Sequence, residues 1–193
     1  MNDKEFIKRI KKTEKENKKK ANISWIVLIT ILSLVISILF SLLSELLMPK
    51  VNIYIGIIIM FLFIGLGILF DILGVSLVSA DIKPYHSMAA KKIKGARVAV
   101  KLKQNTSKLS SVFCDVIGDI CGIVSGSAGV YIATKLSLLI NINPIFISLG
   151  ITGVISALTI GGKAIGKSCA INNSTMILYD FSKVLSLFYN PKK

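Results

Sequence analysis

Aspartates inside otherwise apolar stretches are the side chains of this sequence most able to carry chemistry. The acid-bearing face of one predicted helix consists of Asp115, Asp119, Gly122, Gly126 and Gly129. Their spacing of four, three, four and three residues places all five on one side. The opposite side is apolar, so the acidic face is predicted to point into a helical bundle. A charge at a bilayer centre costs at least about 2.5–3.5 kcal/mol, so these acids need water, a partner or a cation.

A second predicted helix combines an acid and glycines in the same way. Asp71 lies between Gly67 and Gly74, at intervals of four and three residues, and Ser76 and Ser79 follow it. Carboxylate and hydroxyl oxygens are hard ligands that suit Mg²⁺ or Ca²⁺. The candidate ligands of a divalent cation are therefore Asp71, Ser76, Ser79, Asp115 and Asp119.

These residues also have plainer explanations. Asp115 falls near the predicted inner headgroups, where a solvated carboxylate needs no ligand. The glycines favour close packing of helices. Lys163 ends the last predicted span and could pair with Asp119 or Asp71, although a lysine at this depth more often extends to the interface. The acids are thus predicted either to hold a cation or to pair with a lysine.

Long apolar blocks position these side chains. Of the 193 residues, 53% are hydrophobic, and the mean hydropathy is +0.71. At about 1.5 Å per residue, four blocks are long enough to cross an apolar core about 30 Å thick. The predicted spans are 24–47, 53–79, 109–133 and 144–162. We therefore expect an all-α, polytopic membrane bundle of about four helices, with the lipid bilayer as its surroundings.

The distribution of charge predicts which way the chain crosses the membrane. Of 24 lysines and arginines, nine precede Ile23, eight lie between Lys83 and Lys108, and five follow Gly162. The positive-inside rule then places these clusters, and both termini, in the cytoplasm of a protein of the cell membrane. Because the net charge of +14 is explained by topology, a nucleic-acid site is not expected.

Basic and amphipathic segments flank the spans. Residues 1–22 form a lysine-rich cytoplasmic segment, and residues 23–193 form the transmembrane domain. Between spans two and three, residues 81–108 alternate apolar and basic side chains, which is typical of interfacial helices. We call this segment the basic belt. A last amphipathic helix is predicted at about 174–189, along the inner surface.

Signatures of enzymes are missing from the sequence. It contains no HExxH or GxSxG motif, no phosphate-binding glycine loop and no Cys/His pair at catalytic spacing. Cys114, Cys121 and Cys169 show neither zinc-site nor disulfide-framework spacing. The chain is therefore not expected to be an enzyme.

From about Phe70 to Phe188, the chain resembles the transmembrane domain of the cyclin M and CorC/CorB magnesium transporters. In that family, a helix with a small-Ser-Glu pattern enters a basic helical belt, a second helix carries Gly-Asn-Asn, and a third ends in Gly-Glu-x-x-Pro-Lys-Ser. The corresponding pieces here are FDILGVSLVSAD (70–81), AAKKIKGARVAVKL (89–102), DVIGDI (115–120) and GKAIGKSCA (162–170). The resemblance implies a divalent-cation transporter or exporter for Mg²⁺, dimerisation and a cytoplasmic regulatory partner.

The sequence departs from that family at the residues that bind the cation. Asp119 and Ile120 stand at the Asn-Asn pair, Lys163 at the Glu and Gly166 at the Pro. A lysine in place of a glutamate opposes a bound Mg²⁺ unless an added acid such as Asp119 restores the charge. Two functions are therefore predicted: divalent-cation transport, and a transport-inactive scaffold or partner subunit with an intramembrane Asp–Lys pair.

Overall fold

A computed structural model describes residues 23–140 and 143–188 of the chain. Every regular element in these residues is helical, which confirms the predicted all-α class. The chain divides into two units, Met1–Leu32 and Ser33–Lys193. The predicted lysine-rich segment 1–22 and the end of the chain from residue 189 lie outside the described residues.

Eight α-helices are described. They are α1 (Ile23–Leu47), α2 (Ile53–Ser79), α3 (Lys83–Ala90), α4 (Ala96–Gln104), α5 (Thr106–Ser111), α6 (Gly118–Ile140), α7 (Pro144–Asn172) and α8 (Ser174–Phe188). A 3₁₀ turn, Met48–Lys50, follows α1, and a π-helical segment, Val112–Ile117, joins α5 to α6.

Within the described residues, four stretches are long and apolar enough to cross a membrane. They are Ile23–Lys50, Ile53–Ser79, Thr106–Ile140 and Pro144–Asn172. Each contains one of the four predicted spans. The last two extend furthest beyond the prediction, because α5, the π-helical segment and α6 form one continuous helical stretch and α7 continues to Asn172. The chain is a multi-pass membrane protein.

The described part of the first unit, residues 23–32, is the beginning of α1. The Thr30 hydroxyl donates a hydrogen bond to the Ile26 carbonyl oxygen, one turn earlier, at 2.9 Å. The backbone therefore satisfies this hydroxyl within an apolar helix.

Three long helices, α2, α6 and α7, pack against one another in the second unit. A Cβ atom on Gly67 would lie 3.1 Å from the Cβ of Cys121, and one on Gly56 would lie 3.7 Å from Ile132. Residue numbers rise along α2 as they fall along α6, so these helices are antiparallel. A core cluster at one end contains Met48, Met60, Ile64, Ala128, Ile132 and Ile155.

The other end of the bundle is closed by the short helices. A second cluster there contains Leu77, Ala80, Tyr85, Ala99 and Leu178, contributed by α2, α3, α4 and α8. We call this the belt end. Much of the predicted basic belt and the C-terminal amphipathic helix thus pack together beneath the end of α2.

Lys103 covers the last carbonyl groups of α2 at the belt end. Its ammonium donates hydrogen bonds to the Leu77 and Val78 carbonyl oxygens at 2.8 and 2.9 Å. Burial lowers the pKa of Lys103 below 10.5, and the nearby Asp81 carboxylate opposes this shift. A cation at this position also interacts favourably with the negative end of the helix dipole.

Tyr85 allows the packing of the short helices at the belt end to be tested. Its side chain is fully buried, and its hydroxyl donates a hydrogen bond to the Thr175 carbonyl oxygen at 2.9 Å. Burial raises the pKa of Tyr85 above 10.0, while the Thr175 hydrogen bond opposes the shift. The folded state favours the neutral phenol, so this stability is complete below pH 10.0 and is lost as the pH rises through the raised pKa.

A Tyr85→Phe variant is expected to have a free energy of unfolding about 1 kcal/mol lower than that of the wild type near neutral pH, because it lacks the hydrogen bond. It should also lose less stability than the wild type between about pH 9 and pH 11, because it has no phenol to ionise. Thermal unfolding in detergent across this pH range measures both effects. If the wild type and the variant lost the same amount of stability at alkaline pH, the burial of an un-ionised phenol would be contradicted.

Candidate functional site

Asp71 is a buried acid in the middle of the helical bundle. The residue is 4% exposed, and its Oδ2 atom lies 3.8 Å from the Lys167 Nζ on α7. This distance joins two opposite charges but is too long for a hydrogen bond. Among the described residues, Oδ2 has no hydrogen-bond donor. The carboxylate is therefore compensated in charge while keeping unused acceptor capacity, which is uncommon for a buried group.

Glycines on α7 bring Lys167 to Asp71. A Cβ atom on Gly166 would lie 2.8 Å from the Ile72 Cγ1, and one on Gly162 would overlap the Ile68 side chain. Since residue numbers rise together along α2 and α7, the two helices are parallel. Close approach at these glycines places Lys167, the next residue after Gly166, beside the acid.

The π-helical segment borders the acid from the other side. The Cys114 thiol lies 3.8 Å from the backbone carbonyl oxygen of Asp71, within the range of a weak S–H hydrogen bond. A Cβ atom on Gly74 would overlap the Cys114 sulfur, so the thiol occupies the space left by that glycine. A π-helical turn contains an extra residue and often occurs at functional sites.

The two candidate serines do not turn toward the carboxylate. Ser76 is fully buried, and its hydroxyl donates to the Ala170 carbonyl oxygen on α7 at 3.5 Å. Ser79 is exposed at the end of α2. Ser76 thus joins α2 to α7 below Asp71, and Ser79 faces outward at the belt end.

The prediction that the face with Asp115 and Asp119 points into the bundle is wrong. Both acids are exposed, whereas Val116, Ile120 and Val124, predicted to meet lipid, are buried. The apolar side chains fill the bundle interior, where two more carboxylates would be desolvated without donors. The periodicity separated the two acids from the apolar side chains but could not show which of them meets the other helices. Gly129, on the same predicted face as the acids, is buried against Ile155 of α7.

Lys167, not Lys163, approaches a buried acid. Lys163 is half-buried, and its Nζ lies 3.6 Å from the position of a Cβ atom on Gly118. In the part of the chain that the structure describes, it forms no ion pair with Asp119 or Asp71. The two lysines are four residues apart and so share a helix face. The sequence therefore contained the signal for this face, but nothing that selected Lys167.

The described residues do not form a ready-made metal centre. Within residues 23–140 and 143–188, no group of three or more His, Cys, Asp or Glu side chains is close enough to share a metal ion. Of the five predicted ligands, only Asp71 presents an unused oxygen in the interior. Chemically, the site offers one buried carboxylate, one partly exposed ammonium and one thiol.

No protein-family model, curated protein or solved structure matches this chain. The arrangement of Asp71, Lys167 and Cys114 is therefore the basis on which a function can be proposed.

The contact between Gly74 and Cys114 gives a stability prediction. A Gly74→Ala variant is expected to lose about 1–3 kcal/mol of unfolding free energy, because the new methyl group overlaps the Cys114 sulfur. Removing the sulfur in a Gly74→Ala/Cys114→Ala double variant should restore part of that loss.

Thermal unfolding of the two single variants and the double variant in the same detergent measures this coupling. Gly65→Ala is the matched control on α2, because its Cβ atom would have no neighbour within 4 Å. Strictly additive losses in the double variant would show that the sulfur does not occupy the Gly74 space.

Proposed function

We propose that the chain is a cation-transport-type membrane protein in which Asp71 binds the cation and Lys167 is the counter-ion that it displaces. The supporting observation is the Asp71 carboxylate, 4% exposed, with an oxygen that accepts no hydrogen bond from the described residues and an ammonium 3.8 Å away. A tightly bonded arginine would block such a carboxylate. A lysine on a flexible four-carbon stem can leave it.

Magnesium is the proposed cation. Mg²⁺ gives up water reluctantly and is commonly held by one or two carboxylates while it keeps several waters. A single acid such as Asp71 can therefore serve as a binding group for a partly hydrated ion, although the described residues do not assemble a complete ligand cage. The resemblance to the cyclin M and CorC/CorB transporters supports the same ion.

Lys167 suggests the route by which the ion reaches the acid. Its side chain is 53% exposed, whereas that of Asp71 is 6% exposed. Asp71 lies eight residues before the end of α2 at Ser79, a distance of about 12 Å along the axis. In the proposed mechanism, the ion enters from the belt end, Lys167 swings away, and rearrangement of α2 against α7 exposes the acid to the other side.

The belt end is proposed to face the cytoplasm of the cell. If each of the four candidate spans among the described residues crosses the bilayer once, α8, the basic belt and the chain before Ile23 all lie on one side. Positive charge marks the cytoplasmic side. Lys50, in the turn after α1, would then face outward.

A transport-inactive scaffold or partner subunit is the second candidate. It is favoured by the Asp71–Lys167 pair itself and by the lack of a three-ligand cluster among the described residues. In this function the ammonium never leaves, and the pair fixes α7 against α2 while the protein dimerises or binds a cytoplasmic regulatory partner.

Magnesium flux into proteoliposomes, followed with an entrapped dye, tests the proposed role of Asp71. Asp71→Asn is expected to abolish flux, because it removes the only buried carboxylate charge of the described residues. Asp119→Asn is the matched control, since it makes the same change on an exposed face of α6 and should retain wild-type flux. Equal flux in wild type and Asp71→Asn would remove Asp71 from the mechanism.

Binding to a Lys167→Met variant separates the two candidate functions. If the ammonium competes with the cation, its removal should tighten Mg²⁺ binding in isothermal titration by about tenfold, equivalent to about 1.4 kcal/mol. A scaffold would bind no Mg²⁺, Mn²⁺ or Ca²⁺ in either protein. The double variant Asp71→Asn/Lys167→Met should lose this gain in Mg²⁺ affinity, because the binding carboxylate is absent.

Labelling in intact cells tests the proposed orientation. In a background without the three native cysteines, a membrane-impermeant maleimide should label Lys50→Cys from outside, because Lys50 is exposed in the turn after α1. Lys91→Cys, exposed in the basic belt, should be labelled only after permeabilisation. The reverse pattern would show that the belt end faces outward.

A further inference from the structure

An open pocket of about 300 Å³ lies at the belt end, and Asp71 is not among its lining residues. Its walls come from the loop between α3 and α4, the first turn of α4 and Ser186 on α8. Lys92, Lys94 and Arg97 line it, and none of its described lining residues is acidic. All three cations are exposed residues of the pocket lining, so they are accessible to a ligand from solution or from the membrane surface.

The backbone of this pocket is held in an unusual shape. Lys92 and Gly95 adopt positive φ angles of 56° and 87°, and the loop turns sharply between α3 and α4. A Cβ atom on Gly95 would lie 2.9 Å from the Cα of Lys183, so the loop touches α8 at this glycine. The contact between the Gly95 and Lys183 backbones therefore closes the pocket on one side and fixes the loop that lines it.

The start of α4 adds to the positive potential. Gly95 is the residue before this nine-residue helix, and the first turn contains no acid. The amide groups and the dipole at a helix N-terminus favour an anion. Three side-chain cations and a helix N-terminus therefore act on the same space.

Apolar side chains lie exposed next to the cations. On α8, Leu187 follows the pocket residue Ser186 and is exposed, one turn after Lys183, whose backbone lies against Gly95. Ile93, between two of the cations, is also exposed. A helix with exposed apolar residues beside a basic cluster is typical of a membrane interface.

We infer that this pocket binds the phosphate-bearing headgroup of an anionic phospholipid, with the acyl chains against the exposed Ile93 and Leu187. Arginine and lysine pair well with phosphate oxygens. A soluble phosphate would use the same cations, but it would leave Ile93 and Leu187 uncovered, so the apolar surroundings favour a lipid. This site does not depend on the proposed cation transport.

The test titrates the full-length protein in neutral detergent with dioctanoyl phosphatidylglycerol, using dioctanoyl phosphatidylcholine and glycerol 3-phosphate for comparison. Phosphatidylglycerol is expected to bind tightest. A K92Q/K94Q/R97Q variant should lose about tenfold or more in its affinity, because charge-assisted hydrogen bonds to phosphate are removed. All three side chains are exposed, so the variant should fold, which its melting temperature checks.

A K83Q/K91Q/K101Q variant is the matched control. It removes three exposed charges from the same belt but none from the pocket lining, so it should bind phosphatidylglycerol within about twofold of the wild type if the pocket acts locally. Gly95→Ala keeps every cation but forces the loop away from α8, and it should also weaken binding.

Three results would overturn the inference. Equal losses in the two triple variants would show general attraction to a basic surface. Glycerol 3-phosphate binding as tightly as the lipid would identify a soluble phosphate ligand. Equal binding of phosphatidylcholine and phosphatidylglycerol would show that the pocket does not select an anionic headgroup.

Discussion

A carboxylate inside a helical bundle in lipid has to be compensated by the protein itself, and Asp71 imposes this constraint here. Lipid supplies no donors, and the Lys167 ammonium, 3.8 Å away, balances the charge without donating a hydrogen bond. Removing one member of a buried ion pair commonly costs about 3–5 kcal/mol, and less where one partner is half exposed, as Lys167 is. Loss of either charge is therefore expected to weaken the packing of α2 against α7.

The packing around Asp71 follows from the need to bring opposite charges together. Gly162 and Gly166 let α7 approach α2 closely, and Gly74 leaves space for the Cys114 sulfur of the π-helical segment. In membranes, small residues at helix contacts replace the hydrophobic driving force that lipid cannot provide. Ser76 adds a hydrogen bond between the same two helices. The geometry around one acid is thus set by small side chains on three elements.

The sequence predicted the spans well because the thickness of the bilayer fixes their length and the absence of water fixes their composition. It could not predict the inward face of α6, since both faces carry a regular pattern and the choice depends on how α2 packs. The sequence analysis assigned the pairing lysine to position 163 rather than 167 for the same reason, because the approach of α7 at Gly166, a tertiary contact, selects between them.

The coupling between Asp71 and Lys167 is the most direct measure of this account. Unfolding free energies of Asp71→Asn, Lys167→Met and the double variant give it, and the pair Asp119 and Lys163 serves as an uncoupled comparison. We predict a favourable coupling of at least about 0.5 kcal/mol between Asp71 and Lys167, as is usual for residues in contact. Additive effects of the two substitutions would show that the buried acid does not depend on the lysine.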